Sequence, residues 1–125
     1  MYSYLYSFIQ KLILKKSLNS DAASLLKNLK IKNIIDIGCG ESDIFNYYKL
    51  KKNQKYFGYE TEAYFINKLK KKFKNKNIYF YKKNINDIDF GKFNPKSSLI
   101  LMIGIFHHLD DLTIKKFLFK TKKFK

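Results

Sequence analysis

Arginine is absent from the 125-residue chain, and all 26 of its basic residues are lysine. Arginine is the side chain that reads guanine edges and grips phosphate with two parallel hydrogen bonds, so its absence weighs against a sequence-specific nucleic-acid reader. No apolar run approaches the ~20 residues that a membrane-spanning helix needs. The N-terminus also lacks the basic, apolar and small residues, in that order, of a cleaved signal peptide. We therefore expect a cytoplasmic protein without a transmembrane segment.

Cysteine and proline each occur once. A lone Cys39 excludes an internal disulfide and fits a reducing compartment. Pro95 follows Asn94 and predicts a loop rather than a domain boundary. Because 46% of the residues are hydrophobic, the chain can form one packed core. We predict a single domain, with one or two helices in residues 1–31 and an α/β core in residues 32–125.

The net charge of +16 raises nucleic acid or an anionic membrane as a partner. The chain is also rich in Asn, Ile, Phe and Tyr, as expected from a coding sequence biased toward A and T. We favour that bias as the source of the lysines. A lysine-rich nucleic-acid binder stays open as an alternative, although charge alone supports only non-specific association.

Apolar periodicity predicts the helices and strands. Residues 2–16 have the pattern of an amphipathic helix, which packs on the domain or lies on a membrane surface, and a second helix is expected to start at Ser20 or Asp21. Short apolar runs then alternate with helical patterns, and Ser42 and Thr61 are candidate caps for two of these helices. This alternation predicts a Rossmann-like, doubly wound, mainly parallel α/β sheet. The four predicted strands are KNIIDI, KYFGYE, NIYFYK and SSLILMI.

Acidic residues cluster at one edge of this predicted sheet. Of the ten Asp and Glu residues, all except Asp21 lie at or just beyond the end of a predicted strand. In a parallel sheet these ends share one edge, where ligands bind. The acidic character favours a cationic ligand over a pyrophosphate, with Lys82 and Lys83 as the exceptions. The acids are Asp36, Glu41, Asp43, Glu60, Glu62, Asp87, Asp89, Asp110 and Asp111.

The glycine turn after the first strand reads DIGCGESD, residues 36–43. It is a poor match to the G-x-G-x-x-G turn of dinucleotide-binding folds, because Asp43 stands in place of the third glycine. An acid two residues before G-C-G instead resembles the first motif of the class I S-adenosylmethionine-dependent methyltransferases. Three later segments resemble that family in the same order. They are YFGYETEAYF, NIYFYKKNINDIDF and LILMIGIFHHLDD, and the resemblance covers residues 32 to about 120.

The resemblance implies S-adenosylmethionine as cofactor and a set of residues that contact it. Gly38 and Gly40 allow close approach of the backbone to the methionine part, and Asp36 orders the loop near the ligand's amino group or caps nearby amides. Glu60, ~20 residues beyond the glycines, would accept hydrogen bonds from both ribose hydroxyls. Cys39 is a small filler rather than a nucleophile. The cofactor-binding residues expected from the resemblance are Asp36, Gly38, Cys39, Gly40, Glu60, Thr61, Asn84 and Ile85.

The chain departs from the family pattern in three places. Ser42 replaces the usual third glycine, which a serine tolerates if its backbone angles are ordinary. Asn84 stands where the family has an adenine-contacting aspartate, and its amide oxygen could still accept from the adenine amino group, with Ile85 packing on the ring. The chain also ends after the fourth strand and one helix, whereas family domains continue with three more strands. We therefore expect a C-terminally truncated domain with strand order 3-2-1-4.

His107 and His108 are the catalytic candidates, because they follow the fourth strand and imidazole can take a proton from a methyl acceptor. In many relatives such a pair is structural. No cysteine or carboxylate stands at ligand spacing from them, so we expect no metal site.

The expected function is a methyltransferase, or its cofactor-binding half, that acts on an unidentified small-molecule acceptor. The alternative is a non-catalytic remnant that serves as a binding or interaction module. Residues 99–103 would form an uncovered apolar edge strand, so we also expect self-association through the fourth strand.

Overall fold

The computed structural model describes residues 17–103, 105 and 108–124. The helix predicted over residues 2–16 and the catalytic candidate His107 lie outside the described residues. Within them, no helix is long and apolar enough to cross a bilayer.

Four parallel strands form one sheet in the order β3-β2-β1-β4. The predicted Rossmann-like α/β sheet and its strand order are thus confirmed. The elements are β1 (Asn33–Ile37), β2 (Lys55–Glu60), β3 (Ile78–Lys82), β4 (Ser98–Leu101), helix α1 over residues 17–28, α2 (Ala63–Lys72) and α3 (Asp111–Lys120).

Helices cover both faces of the sheet. On one face α1 and α2 bury Leu26 and Leu69 against Tyr56 of β2. On the other face Phe117 of α3 packs with Ile35 of β1, together with apolar residues of the segment between β3 and β4. Each fully buried leucine contributes roughly 1.5–3 kcal/mol by leaving water. The helices therefore hold the sheet from both sides and leave the strand ends free to form a site.

Three local predictions are wrong. Residue 17 is already helical, so α1 does not start at Ser20 or Asp21. The helix expected over residues 42–52 is a short 3-10 helix, Asp43–Asn46, because Tyr48 turns into the core and donates to Gln54 Oε1 (2.5 Å). The N-cap of α2 is Glu62, without a side-chain cap bond, rather than Thr61.

Candidate cofactor site at the carboxyl edge of the sheet

A cavity of about 390 Å³ opens where β1, β2 and β3 end. It brings together six of the residues that the sequence singled out: Gly38, Glu60, Thr61, Asn84, Ile85 and His108. The remaining lining residues are Ile37, Tyr59, Lys83, Ile105 and Leu109. Acceptor, amide and apolar groups therefore converge on one space at the predicted ligand edge.

The carboxylate of Glu60 ties the glycine loop to the end of β2. Its Oε2 accepts from the Gly40 amide at 3.0 Å. Its Oε1 accepts from the amides of Thr61 (2.8 Å) and Glu62 (3.2 Å) and from the Thr61 hydroxyl (3.3 Å). A carboxylate has about four lone-pair sites, two on each oxygen. Oε1 is already engaged by three donors, so Oε2 is the oxygen with capacity left for a ligand hydroxyl.

The glycine loop has left-handed backbone at Gly38 (φ 67°) and Gly40 (φ 52°). A Cβ atom at Gly38 would also collide with the side chain of Ile105, which packs over the loop from beyond β4. The Gly38 and Cys39 amides both donate to the Tyr59 carbonyl, at 2.8 and 3.1 Å. Both backbone angle and space therefore require glycine at position 38.

Ser42 does not have the ordinary backbone angles on which its tolerance was expected to depend. Its φ of 55° and ψ of 47° are left-handed, and its side chain caps no amide of the 3-10 helix. The chain keeps this conformation because the Ser42 amide donates to the Cys39 carbonyl (2.7 Å) and Ser42 Oγ lies 2.9 Å from the Tyr56 hydroxyl. Two hydrogen bonds offset the strain of a non-glycine residue in this region.

Asp36 lies beneath the loop and does not line the cavity. Its Oδ2 accepts from the Tyr56 hydroxyl at 2.6 Å, which joins Asp36, Tyr56 and Ser42 in one buried chain. Burial, followed by the nearby charge of Asp36, raises the pKa of Tyr56 well above its usual value. The carboxylate thus has a buried donor whose proton stays in place.

Cys39 is buried at 6% exposure, as the expected small filler would be. Burial and the nearby Asp36 raise the pKa of its thiol to about 12. A thiol in that state is protonated at neutral pH and is a poor nucleophile.

Asn84 and Ile85 stand side by side after β3. Asn84 Oδ1 accepts from the Asn86 amide at 3.0 Å, so the side chain caps the short helix Ile85–Asp87. One lone pair of that oxygen remains for a ligand donor. Ile85 is 5% exposed and forms part of the cavity wall, where it offers an apolar surface.

Tyr59 is a lining residue that sequence reasoning missed. Its ring stacks on Tyr81 at 5.5 Å, and its buried hydroxyl has no hydrogen-bond partner among the described residues. Burial, with smaller contributions from Tyr81 and Asp89, raises its pKa to about 12. In the sequence, Tyr59 has the pattern of an ordinary core tyrosine in a strand. Nothing in that pattern predicts that it lines the cavity.

His108 lines the cavity, and its amide donates to the Ile105 carbonyl at 2.9 Å. It therefore shares the space with Glu60. No group of three potential metal ligands among His, Cys, Asp and Glu occurs in the described part of the chain.

Residues 34–124 match the model of the methyltransferase domain family. The chain belongs to the class I S-adenosylmethionine-dependent methyltransferases. Its fold is similar to that of a sugar N-methyltransferase from Streptoalloteichus sp., with a TM-score of 0.51 at 10% sequence identity. That match covers 99% of this chain and 49% of the neighbour, so the chain spans about half the neighbour's length. A comparison with curated proteins gave no significant match.

Proposed function

We propose that this methyltransferase domain binds S-adenosylmethionine in the cavity at the carboxyl edge and serves methyl transfer to a small-molecule acceptor. The observation that carries the proposal is the placement of Glu60 beside the glycine loop. Gly40 and Glu60 are joined by a 3.0 Å hydrogen bond although 20 residues separate them in sequence. Gly38 of the same loop lines the cavity together with Glu60, whereas Gly40 does not line it.

The residues present fit such a ligand. Glu60 Oε2 would accept from a ribose hydroxyl, and Asn84 Oδ1 from the adenine amino group. Ile37, Ile85 and Leu109 give the cavity an apolar wall for a base. Among the described residues that line the cavity, Glu60 is the one carboxylate, and Lys83 lines the cavity as well.

S-adenosylmethionine supplies a methyl group on a positively charged sulfur. The protein's part in such a transfer is mainly alignment of the methyl group with its acceptor, which needs few reactive side chains. His108 is our candidate for taking a proton from the acceptor, because it lines the same cavity as Glu60.

Calorimetric titration with S-adenosylmethionine and S-adenosylhomocysteine tests cofactor binding directly. We expect saturable one-to-one binding of both. Glu60→Ala should weaken both affinities by tenfold or more, because a hydrogen bond to a charged acceptor contributes about 1.5–3 kcal/mol.

Glu62→Ala is the matched control. Glu62 is exposed and stands two residues after Glu60, so its replacement removes the same charge. Glu60→Gln keeps the size of the side chain. It therefore shows whether a loss of cofactor affinity in Glu60→Ala comes from collapse of the glycine loop. Equal affinity of folded Glu60→Ala and wild type would rule out the ribose contact. Absence of binding by a folded wild type would favour the alternative, a non-catalytic interaction module.

A further inference from the structure

Every strand of the sheet is begun or preceded by an exposed lysine. Lys32 precedes β1, Lys55 is the first residue of β2, and Lys76 and Lys96 each stand two residues before β3 and β4. Since the strands are parallel, these four lysines, which we call the amino-edge row, lie at the edge opposite the cavity.

Backbone hydrogen bonds fix the order of the row. The Lys55 amide donates to the Lys32 carbonyl at 2.8 Å, and the Lys32 amide donates to the Ser97 carbonyl at 2.7 Å. On the other side, the Tyr56 amide donates to the Asn77 carbonyl at 2.9 Å. Neighbouring strands lie about 4.8 Å apart, so the row extends for roughly 14 Å across the sheet.

The usual structural roles of surface lysine do not account for this row. Within the described residues the structure records one lysine–carboxylate ion pair, between Lys68 and Glu41, and neither belongs to the row. The last turn of α2 carries Lys70, Lys71 and Lys72, which offset the negative end of that helix dipole. Strand starts carry no comparable dipole.

Polar residues adjoin each lysine of the row, and its apolar neighbours in sequence, Ile31, Tyr56 and Pro95, are buried or half-buried. Asn75 and Asn77 flank Lys76, while Asn33 and Ser97 directly follow Lys32 and Lys96. Amide and hydroxyl groups can donate to phosphate oxygens. A membrane surface would instead favour aromatic or large apolar side chains beside the lysines. A line of single charges bordered by asparagine suits a linear chain of phosphates.

We propose that the amino-edge row binds the phosphate backbone of single-stranded nucleic acid, without base preference. Sequence independence follows from the side chains, because lysine is a point charge without the fork that reads base edges.

This surface is separate from the cofactor cavity. Lys55 and Glu60 stand at opposite ends of β2, roughly 16 Å apart at 3.3 Å per residue. A strand bound at the amino edge therefore leaves the carboxyl edge open. The proposal does not depend on cofactor binding, and saturation with S-adenosylhomocysteine should not change the affinity for nucleic acid.

The test is fluorescence anisotropy with a labelled oligothymidine across a salt series, using the full chain. The row variant carries Lys32→Gln, Lys55→Gln, Lys76→Gln and Lys96→Gln. Each phosphate contact in a single strand contributes about 0.7 to the slope of log affinity against log salt. With four lysines removed, the magnitude of that slope should fall by about 3 in the row variant. Its affinity near 0.1 M salt should fall more than tenfold.

The control variant carries Lys68→Gln, Lys82→Gln, Lys115→Gln and Lys116→Gln, an equal charge change outside the row. It should keep most of the wild-type slope. Equal losses in both variants would show diffuse attraction and overturn the proposal. Tight, row-dependent binding to phosphatidylserine vesicles without binding to the oligonucleotide would assign the row to a membrane. A strong preference for one base sequence would also contradict the proposal.

Discussion

The Tyr56 hydroxyl donates a 2.6 Å hydrogen bond to Oδ2 of Asp36, and both groups are buried. The same hydroxyl lies 2.9 Å from Ser42 Oγ. A single side chain from β2 therefore contacts the acid at the end of β1 and the far end of the glycine loop. Because it supports the loop from below, Tyr56 positions the loop without lining the cavity.

Tyr56→Phe should weaken cofactor binding as well as stability. Removal of the hydroxyl leaves the buried Asp36 carboxylate without this donor, at a cost of about 1–3 kcal/mol in the free energy of unfolding. Tyr48→Phe is the matched control, because it also removes a buried tyrosine hydroxyl, which bonds Gln54 away from the cavity. Both variants should lose stability in urea, but only Tyr56→Phe should lose affinity in calorimetry. Equal affinities would show that Tyr56 does not position the loop.

Ser42→Gly and Ser42→Ala should differ in stability. Both lose the contact with Tyr56, but glycine adopts the left-handed angles of position 42 with little strain. We expect Ser42→Gly to be more stable than Ser42→Ala by about 1 kcal/mol, measured by urea denaturation. If the two were equal, the left-handed conformation would not be maintained in solution.

Gly38→Ala should destabilise the fold by about 1–3 kcal/mol, since it combines positive φ with a collision against Ile105. Adding Ile105→Ala removes the closest contact, with Cδ1, but leaves the Ile105 Cβ at 3.0 Å and the backbone strain. The double variant should therefore recover part of the stability lost by Gly38→Ala, relative to Ile105→Ala alone. Thermal melts of the four proteins measure this coupling, and strict additivity would show that the two side chains do not meet.

Alkaline pH should destabilise the fold through Cys39. Its folded-state pKa of about 12 exceeds the ordinary value of 9.0, so above pH 9 the unfolded chain releases a proton that the folded chain keeps. Stability from this group is complete below pH 9 and falls by up to about 1.4 kcal/mol per pH unit toward pH 12. Cys39→Ala should flatten the slope of unfolding free energy between pH 9 and 10. Alkylation of the native thiol at pH 8 should also be slow, and fast alkylation would contradict the assignment.

Self-association through β4 remains a prediction. Among the described residues nothing pairs with its outer edge, and the adjoining groove of about 720 Å³ includes Leu99, Ile100 and Met102. An apolar edge without a paired neighbour is a template for a second strand.

Sedimentation velocity of wild type should show mass increasing with concentration, and Ile100→Lys should prevent it. Leu112→Lys, on an exposed position of α3, should behave as wild type. A monomeric wild type at high concentration would exclude this interface.

Short apolar runs that alternate with helical patterns were enough to predict the parallel sheet. This pattern can be read from the sequence without knowledge of tertiary contacts. The family motifs then predicted the strand order and assigned Gly38 and Glu60 to one cofactor site. The conformation of Ser42 was not predictable, since it depends on Tyr56, which is distant in sequence. Residues 47–52 failed as a helix for a similar reason: Tyr48 and Gln54 bond each other, and Gln54 Nε2 donates to the Ile31 carbonyl at 2.9 Å. Local propensity cannot register contacts of this kind.

Among the described residues, most acids stand at one end of the strands and a row of lysines at the other, and one lysine–carboxylate ion pair is recorded, between Lys68 and Glu41. The attraction available to ion pairs is therefore small, while the lysines repel one another within a crowded edge. Dissolved salt screens this repulsion, because exposed charges more than about 10 Å apart are largely screened at 0.1 M ionic strength. High ionic strength consequently favours the compact state of this protein, and dilution of the buffer opposes it.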